Sequence, residues 1–464
     1  MRLSEERTDR GAGVLLATAA GDALGAGYEF TTPGPDVAIE MIGGGIGSFA
    51  PGEWTDDTSM AIAIAEVATT GVDISGGPGL DAVAAQFVRW YESGPPDIGI
   101  QTSAVLSNRP ASADEMRQIA WALPGRKGGN GLLMRTAPVA LAYLGDVDGC
   151  LRAARAISLL THHDERAVEA CEMWTYAIRH AVLHGTFDGV REYLAEATAS
   201  AREYWAPQLD LAERGAPADF PNNGWVVHAL LTAWWAITTT DASGPEHLEQ
   251  ALERAVRAGH DTDTTAAIAG GLLGARWGAS AVPARWRRML HGWPGYRAED
   301  LVRLGVRTAW GGDDREGWPS SPTVDYGRYD TGRRAVHLHD DGVVLGGADL
   351  LVDDRFDAVV SLCRTGTAPV AGEHIPFWLI DAGEERNPNL EFVIGDAART
   401  VLRLRQQGLT VALHCVEGRS RTPAVAARYS MLLGHNPDDL LEAMPWARPN
   451  PRLWKVATTP KESA

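Results

Sequence analysis

From about residue 10 to residue 310 the apolar side chains recur at three- and four-residue spacing, and no run in that span reads as a strand. Ala- and Leu-rich segments occupy 59–70, 80–92, 148–160, 164–184, 188–205, 225–240, 245–258 and 264–277. Gly and Pro collect between them, in GGPG (76–79), SGPP (93–96) and GAPADFPNNG (215–224). Apolar stripes of this kind can be buried only against other helices, so the expectation is an all-α domain over residues 1–310. Residues 311–332, rich in Gly, Pro, Ser and Asp, read as a linker that Trp318, Tyr326 and Tyr329 could pack down. Beyond it the period changes. Short β-rich runs at 335–339, 342–347, 358–363, 375–380 and 409–415 alternate with helical stretches at 388–407 and 422–434, which predicts a small α/β domain over 333–464. The fold class expected is therefore multidomain, all-α followed by α/β.

A length of 464 residues agrees with two cores rather than one. The net charge of −18 is uneven: residues 331–464 carry 17 acidic and 15 basic side chains, and the first 330 carry 43 and 27. A first domain this acidic is a poor nonspecific binder of nucleic acid or membrane surface, and it suits a bound cation. The four cysteines are far apart and form no CxxC, which suggests a reducing compartment. The segment before the apolar VLLATAA carries Glu5, Glu6 and Asp9, wrong for a secretory leader, and VVHALLTAWWAI is too short to span a bilayer. A cytoplasmic protein with no membrane partner is expected.

Two acidic clusters stand out. Thr55-Asp56-Asp57-Thr58 precedes one small-residue helix and Asp261-Thr262-Asp263-Thr264 opens another. Either alone reads as helix capping, since carboxylates and hydroxyls accept from the free N–H groups of a first turn. Together, four carboxylates would repel one another unless a cation lay between them. With no Cys or His at ligand spacing, the donors suit Mg²⁺, Mn²⁺ or Ca²⁺.

The ordered segments GDALGAGYEF (21–30), GEWTDDTSM (52–60), GNGLLMRTAP (129–138) and GHDTDTTAAIAGGLLGA (259–275) resemble the signature of the ADP-ribosylglycohydrolase family over roughly residues 10–310. The resemblance implies an all-α fold with a binuclear Mg²⁺ or Mn²⁺ site that holds ADP-ribose through its distal ribose. It also implies metal ligation by Thr55, Asp56, Asp57, Asp261, Asp263 and Thr264, with Asp57 counted among the catalytic groups. Glu29 is implied as a gating or water-handling carboxylate. Asn130, Gly131 and Arg135 would line the substrate cleft, with a structural ion pair as the other reading of Arg135. His162 and His163 fall either at the adenosine side or at a helix end. Cleavage at C1″ passes through an oxocarbenium-like state, and divalent ions would orient the sugar and activate water. Arginine-specific relatives use an acid near the glycine-rich loop. None occurs here between Glu115 and Asp146, which weighs against an arginine-linked acceptor, and arginine, serine, nucleic-acid-end and small-molecule acceptors all stay open.

In the second domain, LTVALHCVEGRSRTP (409–423) ends an apolar strand at Cys415 and opens a helix at Arg421. Backbone N–H groups of such a loop cradle a phosphate, the guanidinium clamps it, and the same field favours a thiolate. HCVEGRSRT resembles the dual-specificity protein phosphatases over about 333–456. That implies Cys415 as nucleophile, Arg421 as clamp, Gly418 in the phosphate cradle and Thr422 assisting the leaving thiolate, with no cofactor. Asp381 fits the place of the general acid, with Glu384 and Glu385 as rivals. The expectation is a bifunctional hydrolase acting on ADP-ribosylated and phosphorylated substrates. The alternative is a glycohydrolase whose second domain only recruits a phosphorylated ligand.

Overall fold

The computed structural model describes residues 3–312, 324–366, 370 and 372–459. It divides into two compact units, Met1–Val282 with Met289–Asp313, and Pro283–Arg288 with Asp314–Ala464.

The first unit is helical. Helices α1 (Glu5–Gly25), α2 (Asp56–Ala68), α3 (Gly77–Glu92), α4 (Thr262–Trp277) and α5 (Ala298–Ala309) concern the site. Helices α1 and α4 lie in backbone contact because both are written in small residues. A Cβ on Gly21 would stand 2.1 Å from the Ala266 carbonyl oxygen, and one on Gly270 the same distance from that of Ala17. This contact brings the C-terminal end of α1 beside the N-terminal end of α4, since a Cβ on Gly25 would meet the Asp263 backbone. The segment 188–205, expected as one helix, is two, Gly189–Glu196 and Ala199–Arg214. Thr198 starts the second by accepting from Ala201 N at 3.2 Å, a cap that propensity across the break concealed. A two-residue antiparallel pairing of His291–Gly292 with Tyr296–Arg297 falls where no strand was expected.

The second unit carries β1 (Arg334–His337), β2 (Asp340–Gly346), β3 (Ala358–Ser361), β4 (Glu373–Pro376) and β5 (Val411–His414). Their order is β1-β2-β5-β3-β4, antiparallel at the β1/β2 edge and parallel elsewhere. Helices α6 (Leu390–Gln406) and α7 (Arg421–Leu432) supply much of the apolar cover. The central strand β5 is buried at all four positions, as a parallel strand covered on both faces should be. Part of the expected linker (313–323, with Trp318) lies outside the described residues. Residues 324–332 are built into the second unit: Tyr326 Oη donates to Arg364 O at 2.7 Å, and Asp330 N to Glu417 Oε1 at 3.3 Å. Pro283–Arg288, expected in the first domain, clusters with the second, where Ala284 N donates to Asp396 Oδ2 at 2.8 Å.

Candidate active site

The α1–α4 contact and the start of α2 gather carboxylates from three places in the chain. One oxygen each of Asp22, Asp57 and Asp263 lies within 4.8 Å of the others, and all three side chains are buried. Thr55 and Thr264 stand beside them, their hydroxyls aimed at Asp57 Oδ2 at 3.0 and 3.5 Å. The sequence reading that TDDT caps α2 is corrected here: no Thr55 side-chain cap forms. Asp22 does the capping. Its carboxylate accepts from Thr55 N at 2.9 Å and from Thr58 N at 3.0 Å and Oγ1 at 2.6 Å.

Burial first, and then neighbouring carboxylates, push these acids upward. Asp56 rises to about 8 with Asp97 and Asp22 as its neighbours, and Glu29 to about 7 with Asp97 and Asp261. Asp57 and Asp263 lie well above the carboxylate range for the same reasons. Asp57 Oδ1 and Asp263 Oδ1 are buried with no hydrogen-bond partner. Two orphaned carboxyl oxygens in an all-oxygen donor set fit a hard divalent cation, which would supply the missing partner, favour the ionised form and reverse the repulsion.

Asp261 sits at one side of this centre. Asn130 Nδ2 donates to its Oδ2 at 2.8 Å and to Asn223 O at 2.9 Å, while Asp261 N donates to Asn223 Oδ1 at 3.1 Å. Gly131 follows Asn130 in a short turn against His162, whose burial keeps its imidazole neutral. Arg135 does not line a cleft. It is fully buried, stacks over Phe87 at 4.6 Å and donates to Thr161 Oγ1 at 2.5 Å and Ile157 O at 3.4 Å. Among the described residues it makes no ion pair, and its guanidinium is an interior tie with the buried Nε left unpartnered, so it is placed neither on a cleft wall nor in a structural ion pair. Asp22, Asp97 and Asn223 are the site groups that sequence reasoning missed. Asp22 lay inside a quoted motif; Asp97 (SGPPDIG) and Asn223 (FPNNG) lay in what read as punctuation between helices.

In the second unit Cys415 follows β5 and Arg421 opens α7. Burial would raise the Cys415 thiol, but the Arg421 guanidinium, the Thr422 hydroxyl and N–H, and the Gly418 N–H together hold it below its ordinary value. Gly418 has φ 68°, and a Cβ there would stand 2.8 Å from the Gly346 backbone, so the loop curls only with glycine. Arg421 is anchored by donation to Leu362 O (2.7 Å) and Leu379 O (3.2 Å), with its buried Nε unpartnered. Thr422 Oγ1 lies 3.2 Å from Gly346 O. Asp381 accepts from Ser420 Oγ at 2.6 Å and so lies against the loop, whereas Glu385 pairs with Arg452 and Glu384 is exposed.

The ADP-ribosylglycohydrolase family model matches residues 3–313. An ADP-ribosylarginine hydrolase of Pseudomonas putida is 30% identical over 289 residues, covering 61% of this chain and 74% of that protein. The ADP-ribosyl-[dinitrogen reductase] glycohydrolase of Rhodospirillum rubrum is 28% identical, covering 60% and 89%. A solved structure described as an ADP-ribosylglycohydrolase-related protein complex aligns with TM-score 0.53 at 30% identity, over 66% of this chain and 99% of that one. No helix among the described residues is long and apolar enough to cross a membrane. With the helical fold and the buried acidic centre in place, the chain belongs to the ADP-ribosylglycohydrolase family and is an enzyme that hydrolyses ADP-ribose from modified acceptors.

Proposed function

We propose that residues 1–310 remove ADP-ribose from an arginine-linked acceptor with two Mg²⁺ or Mn²⁺ ions, and that 333–464 form a cysteine-dependent phosphatase domain. The observation that carries the first half is the pair of orphaned buried oxygens on Asp57 and Asp263. Thr55, Asp56, Asp57, Asp261, Asp263 and Thr264 would hold the ions, which when bound supply positive charge to fix the distal ribose and acidify water. The chain's own residues do the rest. Asn130 and Asn223 fix the rotamer of Asp261 and the backbone leading into α4. Glu29, whose carboxyl is pushed up first by burial, would take up the proton that water loses as it adds to C1″ and the bond to the acceptor breaks. Arginine is favoured by the two relatives described as ADP-ribosylarginine hydrolases and by the carboxylate of Asp97 beside Asp56, which would suit a guanidinium. The test is release of ADP-ribose from a panel of arginine-, serine- and nucleic-acid-linked conjugates. Release should be confined to the arginine conjugate and lost in chelator. Asp263→Asn should abolish both release and the rise in melting temperature that divalent ions give the wild type. Undiminished release in excess chelator would sink the metal reading.

For the second half, a lowered thiol facing an anchored guanidinium is what attack on a phosphate monoester requires. Cys415 would take the phosphoryl group, Arg421 and the Gly418 N–H would bind its oxygens, Asp381 would protonate the leaving oxygen, and Thr422 would stabilise the departing thiolate. A recruitment module would need the clamp but not the lowered thiol, so turnover of an aryl phosphate by the full chain decides between them.

A further inference from the structure

The acidic centre opens on the side of Asp56 into a cavity of about 160 Å³ walled by Phe49, Trp54, Trp90 and Trp293, with Asp97 at its rim. Glu53, Ser93 and Trp293 also line a second, larger concavity of about 580 Å³, which continues to Arg89, His291, Tyr296 and Arg297. The two form one trough in the first unit. Its walls are fixed: Trp54 and Trp90 are fully buried, Trp54 Nε1 donates to Trp293 O at 3.2 Å, and Tyr296 Oη donates to Glu66 Oε1 at 2.9 Å.

Charge decides which end of the substrate lies here. Beyond Asp56, which the proposed ions would occupy, the inner cavity is lined by Asp97 and Glu53 and by no cation, so it disfavours a diphosphate and suits the guanidinium of a modified arginine. The Asn130–Gly131 turn, which carries no charge, lies on the Asp261 side of the centre. The outer concavity exceeds what one side chain needs, since about 300–1,000 Å³ is the range of whole ligand sites. It ends in Arg297, which is exposed. We infer that this trough is an acceptor subsite that binds the polypeptide flanking the ADP-ribosylated side chain, with Arg297 pairing with an acidic residue of that polypeptide. The inference rests on the arginine-linked reading and adds to it that the enzyme reads sequence around the modified residue.

The experiment compares kcat/KM on free ADP-ribosyl-arginine with that on a ten-residue peptide holding one ADP-ribosyl-arginine flanked by glutamates, for the full chain. Wild type should prefer the peptide. Arg297→Glu should lower the peptide-to-free ratio about three- to fivefold, the scale of one exposed ion pair. Lysines in place of the peptide glutamates should restore it. Tyr296→Ala, at a residue that lines only the outer concavity, should lower the ratio through KM rather than kcat. A second readout needs no turnover: the unmodified glutamate peptide should perturb tryptophan fluorescence in chelator, and less so in Arg297→Glu. Equal ratios in wild type and both variants, or no peptide binding, would overturn the subsite. If neither conjugate is cleaved, the arginine reading fails and the binding arm still judges the trough.

Discussion

At the scale of single residues, environment separates four cysteines that composition treats alike. Burial pushes Cys150, Cys171 and Cys363 up to about 12, whereas Arg421 and the loop donors hold Cys415 below 9.0. Alkylation by iodoacetamide at neutral pH, followed by mass spectrometry, should therefore label Cys415 alone. Its rate should rise with pH around a midpoint below 9.0, because the thiolate is the reacting form. Arg421→Met should move that midpoint upward, since the largest of the influences opposing burial is then gone while the Thr422 and Gly418 donors remain; an unmoved midpoint would remove the guanidinium as the cause. The residues legible in the sequence were those whose partners are neighbours in the chain, as in TDDT, DTDTT and HCVEGRSRT. Asp22 caps a helix 33 positions away, and Asn223 reaches Asp261 across 38, so a motif window cannot see either. Arg135 misled for the converse reason. It lies in the right motif and its side chain points into the core.

At the scale of elements, helix and strand periods placed most segments, because amphipathic spacing is local physics. The pairing of α1 with α4 was not legible, although its cause was in view as Gly270, Gly271 and Gly274. A run of glycines says that something approaches closely without saying what. Gly270→Ala tests the contact, because the added methyl would stand 2.1 Å from Ala17 O and neither backbone can yield without parting the helices. A loss of about 1–3 kcal/mol or more is expected, read as a fall in melting temperature. The same substitution at Gly34, which has nothing within 4 Å, should be close to neutral. Because the contact also sets Asp22 against Asp263, Gly270→Ala should weaken stabilisation by divalent ions beyond its effect on the fold. Wild-type stability in Gly270→Ala would mean that α1 and α4 do not touch this closely.

At the scale of the whole molecule, the sequence announced two units through a change of hydrophobic period and a change of charge, but not where they part. Residues 283–288 and 324–332 carry no compositional mark of the unit they pack with; their placement follows from bonds such as Ala284 N to Asp396 and Tyr326 Oη to Arg364 O. Two units with two proposed chemistries lead to a prediction about independence. The proposed glycohydrolase centre contains no thiol, and the phosphate loop contains no cluster of oxygen ligands. Cys415→Ser replaces a stabilised thiolate with a hydroxyl that stays protonated at neutral pH, so aryl phosphate turnover by the full chain should vanish. Arg421 and the loop N–H groups remain, so phosphate should still bind. Peroxide should act like the substitution, because a lowered thiol is the form that oxidises. Neither treatment should slow release of ADP-ribose from an arginine conjugate. Asp263→Asn should give the opposite pattern, abolishing release while leaving phosphate ester turnover intact. Loss of ADP-ribose release in folded Cys415→Ser protein would show that the two centres serve one reaction path.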